Sequence, residues 1–430
     1  MSRILVLSSA VVDRAMIGPA IRSYEIARAL QTEHDVVLAM PHEPRDAPRD
    51  VRCQVFAHQD PSALQPLLEW ADTVVAQPQW PLVTRLLARS GARLIFDLYV
   101  PEPLELLEAH AGRRPAVRRA WQTFAADRLA DAARVGHHLV CASEGQRDLW
   151  LGMLLGARAL TPAHYDRDPT LRSLIDVVPF GLPATPPDRL GAGPRAQFGL
   201  DEGDEIVLWN GGIWAWLDAP TAVEAIARLR ERRPRARLVF LGRSGHEAAA
   251  RATRAVEERA RALGLLGDGV LIPKGLTPYG ERSSWLADAD CAVSLHVDHA
   301  ETRFAFRTRL LDCFWAGLPV VCTAGDELSD RVDRDGLGAT VPERDPVAVA
   351  EALEAVLARG RGAYAAGLAA AAANFAWPKV VAPIGAWAVE SGLPPRLGAV
   401  RRPIHALRSG FYVGARTGLN RVGLNRWPGD

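Results

Sequence analysis

Short β-branched runs alternate with longer segments of helical character along almost the whole chain. In the first half, five runs have the composition of buried strands: RILVLSS, DVVLAM, TVVAQ, ARLIFDLY and HHLVCAS. The segments between them, which include AIRSYEIARALQTE, PLVTRLLARSG and the stretch around residues 121–132, favour helices. This alternation is typical of a doubly wound α/β domain with a parallel sheet.

A proline- and glycine-rich stretch over residues 179–200 separates this pattern from a second one. Beyond it, EIVLWNGG, ARLVFLGRSG, GVLIPKG and CAVSLHV are again strand-like, with helical segments between them. A chain of 430 residues is too long for one ordinary core. We therefore expect α/β domains at residues 1–180 and 181–376, a helix over 377–391 that crosses back to the first domain, and a basic tail over 392–430.

The composition excludes several classes of protein. The formal net charge of +1 gives no overall attraction to nucleic acid, and no uninterrupted apolar run reaches the length of a membrane span. The five cysteines are scattered, without the close spacing of a zinc or redox site, so we expect reduced thiols, no metal and a cytoplasmic protein. The start, MSRILVLSS, favours a buried strand over a cleavable signal peptide. His137, His138 and His296 lie in or beside predicted strands, where we expect them to pack or cap.

Three segments place glycine or arginine where a predicted strand ends and a helix begins. Such positions bind anions, because free backbone N–H groups and the helix dipole point toward the ligand. The first is Gly18, ahead of a helix that begins near Pro19; an ordinary strand-to-helix turn is the alternative. The second is Gly211 and Gly212 after the strand EIVLW. Trp214 follows them and could stack on a base or a sugar, or fill the wall of a cleft.

The third segment is ETRFAFRTRLLDCFWAGLPVVCT. A helix that begins near Thr308 would offer free N–H groups from Thr308 to Leu310 to an anion. Arg303, Arg307 and Arg309 lie around that start, and their guanidinium groups suit phosphate. Asp312, one turn further on, could accept hydrogen bonds from the vicinal hydroxyls of a ribose. The alternative is a surface helix with solvated arginines, but the apolar turn that follows and the Gly-Leu-Pro break before a buried strand favour a nucleotide site.

The order of these motifs resembles that of the nucleotide-sugar glycosyltransferases of family 4, which have the GT-B fold. AGLPVV, with an acidic residue ahead of it, is similar to the family's AGxPVV segment. ADADCAVSLHV is similar to the family's ADxxVxPS segment, and VVPFGLP is similar to its xxPNGVD segment at the domain junction. In the first half, IGPAIRSYEIARAL resembles the family's glycine-rich loop and first helix. HHLVCASEGQRDLW resembles the strand and helix that close that domain. The resemblance covers most of the chain and implies two doubly wound, Rossmann-like domains that face each other across a cleft.

The chain departs from the family's pattern at two places. Counting back from AGLPVV, Asp312 takes the place of the family's second glutamate and Phe304 that of the first. Phe304 cannot bind sugar hydroxyls, so Glu301, Asp298 or His299 would supply that function from a shifted loop. The loop NGGIWAWLDA lacks the Arg and Lys that the family places against the diphosphate, a loss for which the arginines of the third segment could compensate.

The resemblance implies glycosyl transfer from a UDP-, GDP- or dTDP-sugar to a hydroxyl acceptor, with retention of anomeric configuration and without a metal or other cofactor. Asp97 and Glu102, in FDLYVPEPLE, could orient the acceptor hydroxyl; for Asp97, a cap on the next turn is the alternative. Two rival functions stay open. One is a non-catalytic nucleotide-sugar binder, suggested by Phe304, and the other is a GT-B enzyme of different chemistry, such as an epimerase or a phosphorylase-like protein.

The last segment of the chain is strongly basic. Residues 392–429 contain seven arginines and no acidic residue, with Phe411, Tyr412 and Trp427 between the charges. This tail would suit peripheral contact with an anionic membrane surface. It would bring the enzyme to a lipid-linked acceptor, as in the synthesis of a cell-envelope polysaccharide or glycolipid. A mobile or packed extension is the alternative.

Overall fold

The computed structural model describes residues 1–243, 247–394 and 396–397. The chain forms two compact units, which are both discontinuous in sequence. The first comprises residues 1–103, 113–179 and the described residues from 381 onward, and the second comprises residues 104–112 and 180–380. Each unit contains one parallel sheet with helices between its strands. This is the α/β architecture that the alternation of strands and helices predicts.

Seven parallel strands form the sheet of the first unit: β1 (Arg3–Leu7), β2 (Asp35–Pro41), β3 (Cys53–Phe56), β4 (Thr73–Ala76), β5 (Arg93–Asp97), β6 (His138–Cys141) and β7 (Ile175–Val177). Their order in the sheet is β3-β2-β1-β4-β5-β6-β7. Five of these strands coincide with the β-branched runs of the sequence. The two outer strands, β3 and β7, were not predicted, because β3 is only partly buried and β7 has three residues.

Eight helices accompany these strands in the described part of the chain: α1 (Gly18–Leu30), α2 (Gln65–Trp70), α3 (Pro81–Arg89), α4 (Glu102–Ala109), α5 (Pro115–Val135), α6 (Glu144–Gly156), α7 (Pro162–Arg167) and, from the far end of the chain, α18 (Ala382–Val389). The division between the units falls inside α4. Local signals set several of the starts. The Ser143 side chain caps α6 by accepting the N–H of Gln146, and α3 and α5 begin at a proline, whose missing N–H has no partner there in any case.

Six parallel strands form the sheet of the second unit: β8 (Glu205–Trp209), β9 (Ala236–Phe240), β10 (Val270–Leu271), β11 (Cys291–Ser294), β12 (Val320–Thr323) and β13 (Gly338–Val341). The described helices of this unit are α8 (Pro194–Phe198), α9 (Ala219–Arg232), α10 (Glu247–Ala262), α11 (Arg282–Asp288), α12 (Ala300–Phe304), α13 (Thr308–Trp315), α14 (Glu327–Arg334), α15 (Pro346–Arg359), α16 (Ala365–Ala372) and α17 (Trp377–Val380).

The strand order of the second sheet fixes where a ligand can bind. The order is β10-β9-β8-β11-β12-β13, so the chain winds outward from β8 in one direction and then returns to wind outward on the other side from β11. The crevice at the carboxyl ends of β8 and β11 is therefore the topological switch point, which is where open α/β sheets bind ligands. Residues 210–217 follow β8 there, and residues 295–299 follow β11.

The helix α18 packs on the first unit through aromatic and charged contacts. Trp387 stacks on His138, with ring centroids 4.4 Å apart and planes inclined by 15°. The buried Arg93 donates to the carboxylate of Glu390 at 2.9 Å and to the carbonyls of Glu390 and Gly392. Burial lowers the pKa of His138 to about 4, so the stacked ring is neutral. His138 therefore packs, as the sequence indicates.

Within the described residues, no helix is both long enough and apolar enough to cross a membrane. At the start of the basic tail, Arg396 donates to the carbonyls of Ala88 and Ser90, and Leu397 is part of the hydrophobic core of the first unit. The rest of the tail, and with it the predicted membrane contact, lies outside the described residues.

Candidate functional site

The loop after β8 and the start of α13 are joined at the switch point of the second sheet. Asn210 donates from Nδ2 to the backbone carbonyl of Arg309 at 2.9 Å. Gly211 has a φ of +124°, a conformation that favours glycine, and a Cβ at this position would lie 3.3 Å from Nη2 of Arg309. The carbonyl of Gly212 accepts a hydrogen bond from the same Nη2 at 3.3 Å. The sequence-predicted residues Gly211, Gly212 and Arg309 are therefore brought together.

Arg309 is a partly buried cation that has no carboxylate partner among the described residues. Its guanidinium carbon lies 5.6 Å from the centre of the Trp209 ring, and its Nη1 atom is buried without a hydrogen-bond partner. Burial, and then the charge of Arg307, lower the pKa of Arg309 to about 9. The side chain is therefore still charged at neutral pH, in a place where an anion would stabilise it.

Arg307 is oriented differently from the sequence-based expectation. It is 6% exposed and forms a bidentate ion pair with Glu301, with nitrogen–oxygen distances of 2.7 and 3.2 Å. Glu301 itself is 2% exposed. Arg307, which the sequence assigns to phosphate binding, and Glu301, which it assigns to the sugar hydroxyls, are therefore paired with each other. A buried pair of this kind fixes the backbone that connects α12 to α13.

The backbone at the start of α13 offers less to a ligand than the sequence suggests. The N–H of Thr308 donates to the carbonyl of Phe306 at 2.8 Å, and the N–H of Leu310 donates to the carbonyl of Arg307 at 2.9 Å. The expectation of free N–H groups from Thr308 to Leu310 is therefore wrong for both ends of that range. Local turns satisfy these groups, because the chain bends between α12 and α13.

Asp312 lies one turn into α13, with its side chain about a quarter exposed. Its Oδ1 accepts a hydrogen bond from Nε of Arg282 at 3.3 Å. The guanidinium of Arg282 in turn lies 3.7 Å from the ring centre of Tyr279 and 5.0 Å from that of Trp315. Sequence reasoning did not identify Arg282, because 30 residues separate it from its partner and no local motif marks it.

Five further polar atoms of this region are buried without a hydrogen-bond partner: Oδ1 of Asn210, Nε2 of His296, Nε2 of His299, Nε of Arg307 and Oδ2 of Asp326. His296 was expected to be a satisfied core residue. It is buried, but its Nε2 is not satisfied, and burial and then the charge of Arg307 lower its pKa to about 3. His299 caps α12 by accepting the N–H of Thr302 on Nδ1.

Three other predicted residues of the second unit lie toward solvent. Arg303 is exposed and lies over the ring of Phe304, with 5.9 Å between its guanidinium carbon and the ring centre. Asp298 is also exposed, and its N–H donates to Glu343 at 2.6 Å. Trp214 stacks on Trp216 with ring centroids 5.1 Å apart, and both rings are half-buried. These residues surround the switch point without joining the buried polar groups.

The candidate residues of the first unit have intrachain partners. Both oxygens of Asp97 accept hydrogen bonds from Arg22, at 2.6 and 2.9 Å, and both residues are buried. A Cβ on Gly18 would lie 2.7 Å from the hydroxyl of Tyr99, so the missing side chain makes room for that tyrosine. Glu102, at the start of α4, lies 3.5 Å from Arg128 and keeps a partly exposed carboxylate.

Metal-ligating side chains do not gather at either set of residues. Within the described ranges, no group of three or more His, Cys, Asp or Glu side chains could hold a metal ion. The cysteines that follow the switch point, Cys313 and Cys322, are buried free thiols whose pKa is raised by burial.

The second unit contains a segment that is similar to a known protein family. Residues 204–359 match the family described as glycosyl transferases group 1. No curated protein sequence matches the chain.

Solved structures of low sequence identity share the fold over nearly their whole length. Sucrose-phosphate synthase from Thermosynechococcus elongatus is 16% identical with a TM-score of 0.62, and the match covers 90% of this chain and 98% of that one. Anabaena HepE, solved with UDP and glucose, is 13% identical with a TM-score of 0.64 and coverages of 90% and 99%. WaaG, a glycosyltransferase involved in lipopolysaccharide biosynthesis, is 18% identical with a TM-score of 0.59 and coverages of 90% and 100%. The predicted GT-B fold and the predicted resemblance are confirmed.

Proposed function

We propose that this GT-B glycosyltransferase moves a sugar from a nucleoside diphosphate sugar to a hydroxyl acceptor, and that the donor's diphosphate binds beside Arg309. The observation that carries the proposal is the isolated positive charge of Arg309 at the switch point of the second sheet. The segment that matches glycosyl transferases group 1 contains this residue.

The environment of Arg309 fits a diphosphate. A guanidinium without a carboxylate partner is costly to bury, and phosphate oxygens would supply both the countercharge and an acceptor for the unpartnered Nη1. Gly211 and Gly212 lie next to the guanidinium, and their lack of side chains lets a ligand approach the backbone. Arg309 thus takes the role of the basic residues that the loop NGGIWAWLDA lacks.

The ribose of the donor would lie next to Asp312. The carboxylate is partly exposed, and Arg282 holds it by one oxygen, so its orientation is fixed before a ligand binds. The vicinal hydroxyls of the ribose can then donate to the carboxylate of Asp312 without a further loss of conformational entropy in that side chain. This arrangement does not select the base. Because HepE was solved with UDP and with UDP-glucose, UDP-sugars are the first donors to test.

The chemistry that follows is charge stabilisation. When the anomeric bond breaks, negative charge develops on the leaving diphosphate, and a fixed cation in a water-poor site stabilises it. The proposed reaction needs no metal and retains the anomeric configuration. In the first unit, Asp97 is fully engaged by Arg22, so Glu102 is the better candidate for orienting the acceptor hydroxyl.

A non-catalytic nucleotide-sugar binder is the second candidate function. It is favoured by one observation: Glu301, which was expected to replace the family's first glutamate at Phe304, is buried in an ion pair with Arg307. The two functions share a binding site and differ only in turnover.

Calorimetric titration of the full chain with UDP, GDP and dTDP tests the site first, and a panel of donor sugars with simple sugar and lipid-linked acceptors then tests transfer. We expect one nucleoside diphosphate to bind and the corresponding sugar to be transferred or slowly hydrolysed. Binding without either reaction would favour the non-catalytic function. Absence of binding by all three diphosphates would refute both.

We also propose that the enzyme is cytoplasmic and reaches a cell-envelope acceptor by peripheral contact of the tail with anionic lipid. WaaG, which acts in lipopolysaccharide biosynthesis, supports the envelope role by analogy. Because Leu397 belongs to the core of the first unit, the matched truncation ends there and removes only residues 398–430. Equal sedimentation of the full and truncated chains with phosphatidylserine vesicles would refute the contact and leave the catalytic proposal untouched.

A further inference from the structure

Unpartnered polar groups collect around Arg307, beside the proposed diphosphate site. His296, Arg307 and Asp326 are 2%, 6% and 4% exposed, and each has one buried polar atom without a partner. His299, whose Nε2 is also unpartnered, lies 3.7 Å from Glu301 through its other ring nitrogen. Polar groups that are buried in this way are normally satisfied by water or by a ligand.

The backbone holds these groups at the ends of two neighbouring strands. The N–H of His296, after β11, donates to the side chain of Thr323 at the end of β12, with a separation of 3.1 Å. Asp326 caps α14 by accepting the N–H groups of Leu328 and Ser329 on Oδ1, which leaves Oδ2 available. Arg307 acts electrostatically on both His296 and Asp326. The groups are therefore fixed in place before any ligand arrives.

The charged residues of this cluster leave no positive charge for an anion. Glu301 neutralises Arg307 in the bidentate pair, and Asp326 adds a second acidic group within the field of the same arginine. His296 is neutral, because burial lowers its pKa to about 3. Arg303 is exposed and lies over the ring of Phe304. Of the other arginines of the site, Arg309 lacks an acidic partner within the described ranges, and the proposed diphosphate already neutralises it.

We infer that the cluster of His296, His299, Arg307 and Asp326 receives the hydroxyl groups of a neutral donor sugar and rejects a sugar that carries a carboxylate. This inference rests on the proposed function. The unpartnered Nε of Arg307 can donate a hydrogen bond, and Oδ2 of Asp326 can accept one. The cluster therefore suits hydroxyl groups, which both donate and accept. A uronate would add a negative charge next to Asp326 and Glu301, where the one arginine of the cluster, Arg307, is already paired. Like charges at short range in a buried site repel strongly.

The test compares two donors that differ only at C6 of the sugar. Once the titration above has shown which nucleoside diphosphate binds, the affinity for its hexose derivative is measured against that for its hexuronate derivative, for example UDP-glucose and UDP-glucuronate. We expect the hexuronate to bind at least about tenfold more weakly than the hexose. Equal or tighter binding of the hexuronate would overturn the inference, while the binding of the diphosphate would still support the proposed function. If no diphosphate binds, the proposed function and this inference fail together.

A charge-neutral variant then assigns the discrimination to this cluster. Asp326→Asn keeps an N-cap side chain for α14 but removes one negative charge, so the preference for the hexose is expected to fall by about threefold or more. Asp345→Asn is the matched control, because Asp345 caps α15 in the same way and is absent from the cluster. A wild-type preference that Asp326→Asn leaves unchanged would overturn the assignment to these residues.

Discussion

Replacing Arg309 by methionine separates a ligand-binding role from a structural one, because the two roles predict opposite changes in stability. Methionine has a similar length and no charge. It removes the unpartnered Nη1 and the hydrogen bond to Gly212, and it replaces the guanidinium near the ring of Trp209 by an apolar group. If Arg309 serves to bind an anion, the unliganded variant should be more stable than the unliganded wild type, because it lacks the buried charge. The variant should also bind the ligand more weakly.

The expected magnitudes follow from the surroundings of the guanidinium. A charge-assisted hydrogen bond to phosphate contributes about 1.5–3 kcal/mol, so binding of the nucleoside diphosphate should weaken by about 10- to 150-fold. The pKa of Arg309 is lowered from 12.5 to about 9. A shift of that size limits the cost of the buried charge to about 5 kcal/mol. Because the variant also loses the bond to Gly212, and because the side chain is partly exposed, we expect a net gain of about 1 kcal/mol, or about 2–4 °C in Tm.

Calorimetric titration with the diphosphate and with its nucleoside, together with thermal unfolding of the unliganded chain, gives both quantities. The nucleoside should bind equally to the wild type and to Arg309→Met. The matched control is Arg259→Met, which removes an exposed arginine of α10 that pairs with Glu224 of α9 and should change neither quantity. Weaker binding combined with a lower Tm would show that Arg309 is structural, and unchanged diphosphate binding would refute the site.

Four other results are expected. Arg307→Ala should lower the free energy of unfolding by about 3–5 kcal/mol in urea denaturation, because it leaves the buried carboxylate of Glu301 unpaired; wild-type stability would contradict a structural pair. Asp312→Asn should weaken binding of the nucleoside diphosphate but spare pyrophosphate in the same titration, and equal losses would exclude a ribose contact. Acidification should destabilise the first unit, since burial lowers the pKa of His138 to about 4 and the unfolded chain takes up the proton near pH 6.5. About 3 kcal/mol is then lost as the pH falls from about 6.5 to 4 in pH-dependent denaturation, and Trp387→Ala, which uncovers the ring, should reduce that dependence. Transfer should continue in EDTA, and a loss of activity that Mg²⁺ or Mn²⁺ restores would show that a metal is required.

Most of the fold could be predicted because periodicity is a local property. The apolar turn after Thr308 and the Gly317-Leu318-Pro319 break place α13 and β12 where the structure has them. The strands β3 and β13 escaped prediction, since strands at the edge of a sheet are only partly buried and need few apolar residues.

The roles of the arginines could be predicted only in part, because they depend on where one short helix ends. Arg303, Arg307 and Arg309 are indistinguishable as residue types, and their spacings of four and two residues do not show which way each side chain points. The end of α12 at Phe304 determines these directions. The chain bends over residues 305–307, and this bend brings the side chain of Arg307 to Glu301, six positions earlier. Arg309, already inside α13, is left beside the glycines of the loop after β8.

The same limit applies to the unpartnered polar atoms. His296 and Asp326 are separated by 30 residues and belong to different strand–helix loops. Only the adjacency of β11 and β12 brings these loops together, and the register pairs Ser294 with Cys322. A buried histidine in a strand pattern gives no sign of whether its second nitrogen has a partner, since that depends on side chains from the neighbouring loop.

The packing of α18 on the first unit has a consequence for biosynthesis. Arg93 and His138 are made early, but Trp387 and Glu390, which cover them, follow the whole 180–380 segment of the second unit. At about 5–20 residues per second, roughly 12–60 s of translation separate the covered residues from those that cover them. The nascent first unit therefore exposes the ring of His138 and a largely unsatisfied Arg93 during that time. The second unit is then expected to finish folding before the first, and chaperones that bind apolar surface would act on the N-terminal part of the nascent chain.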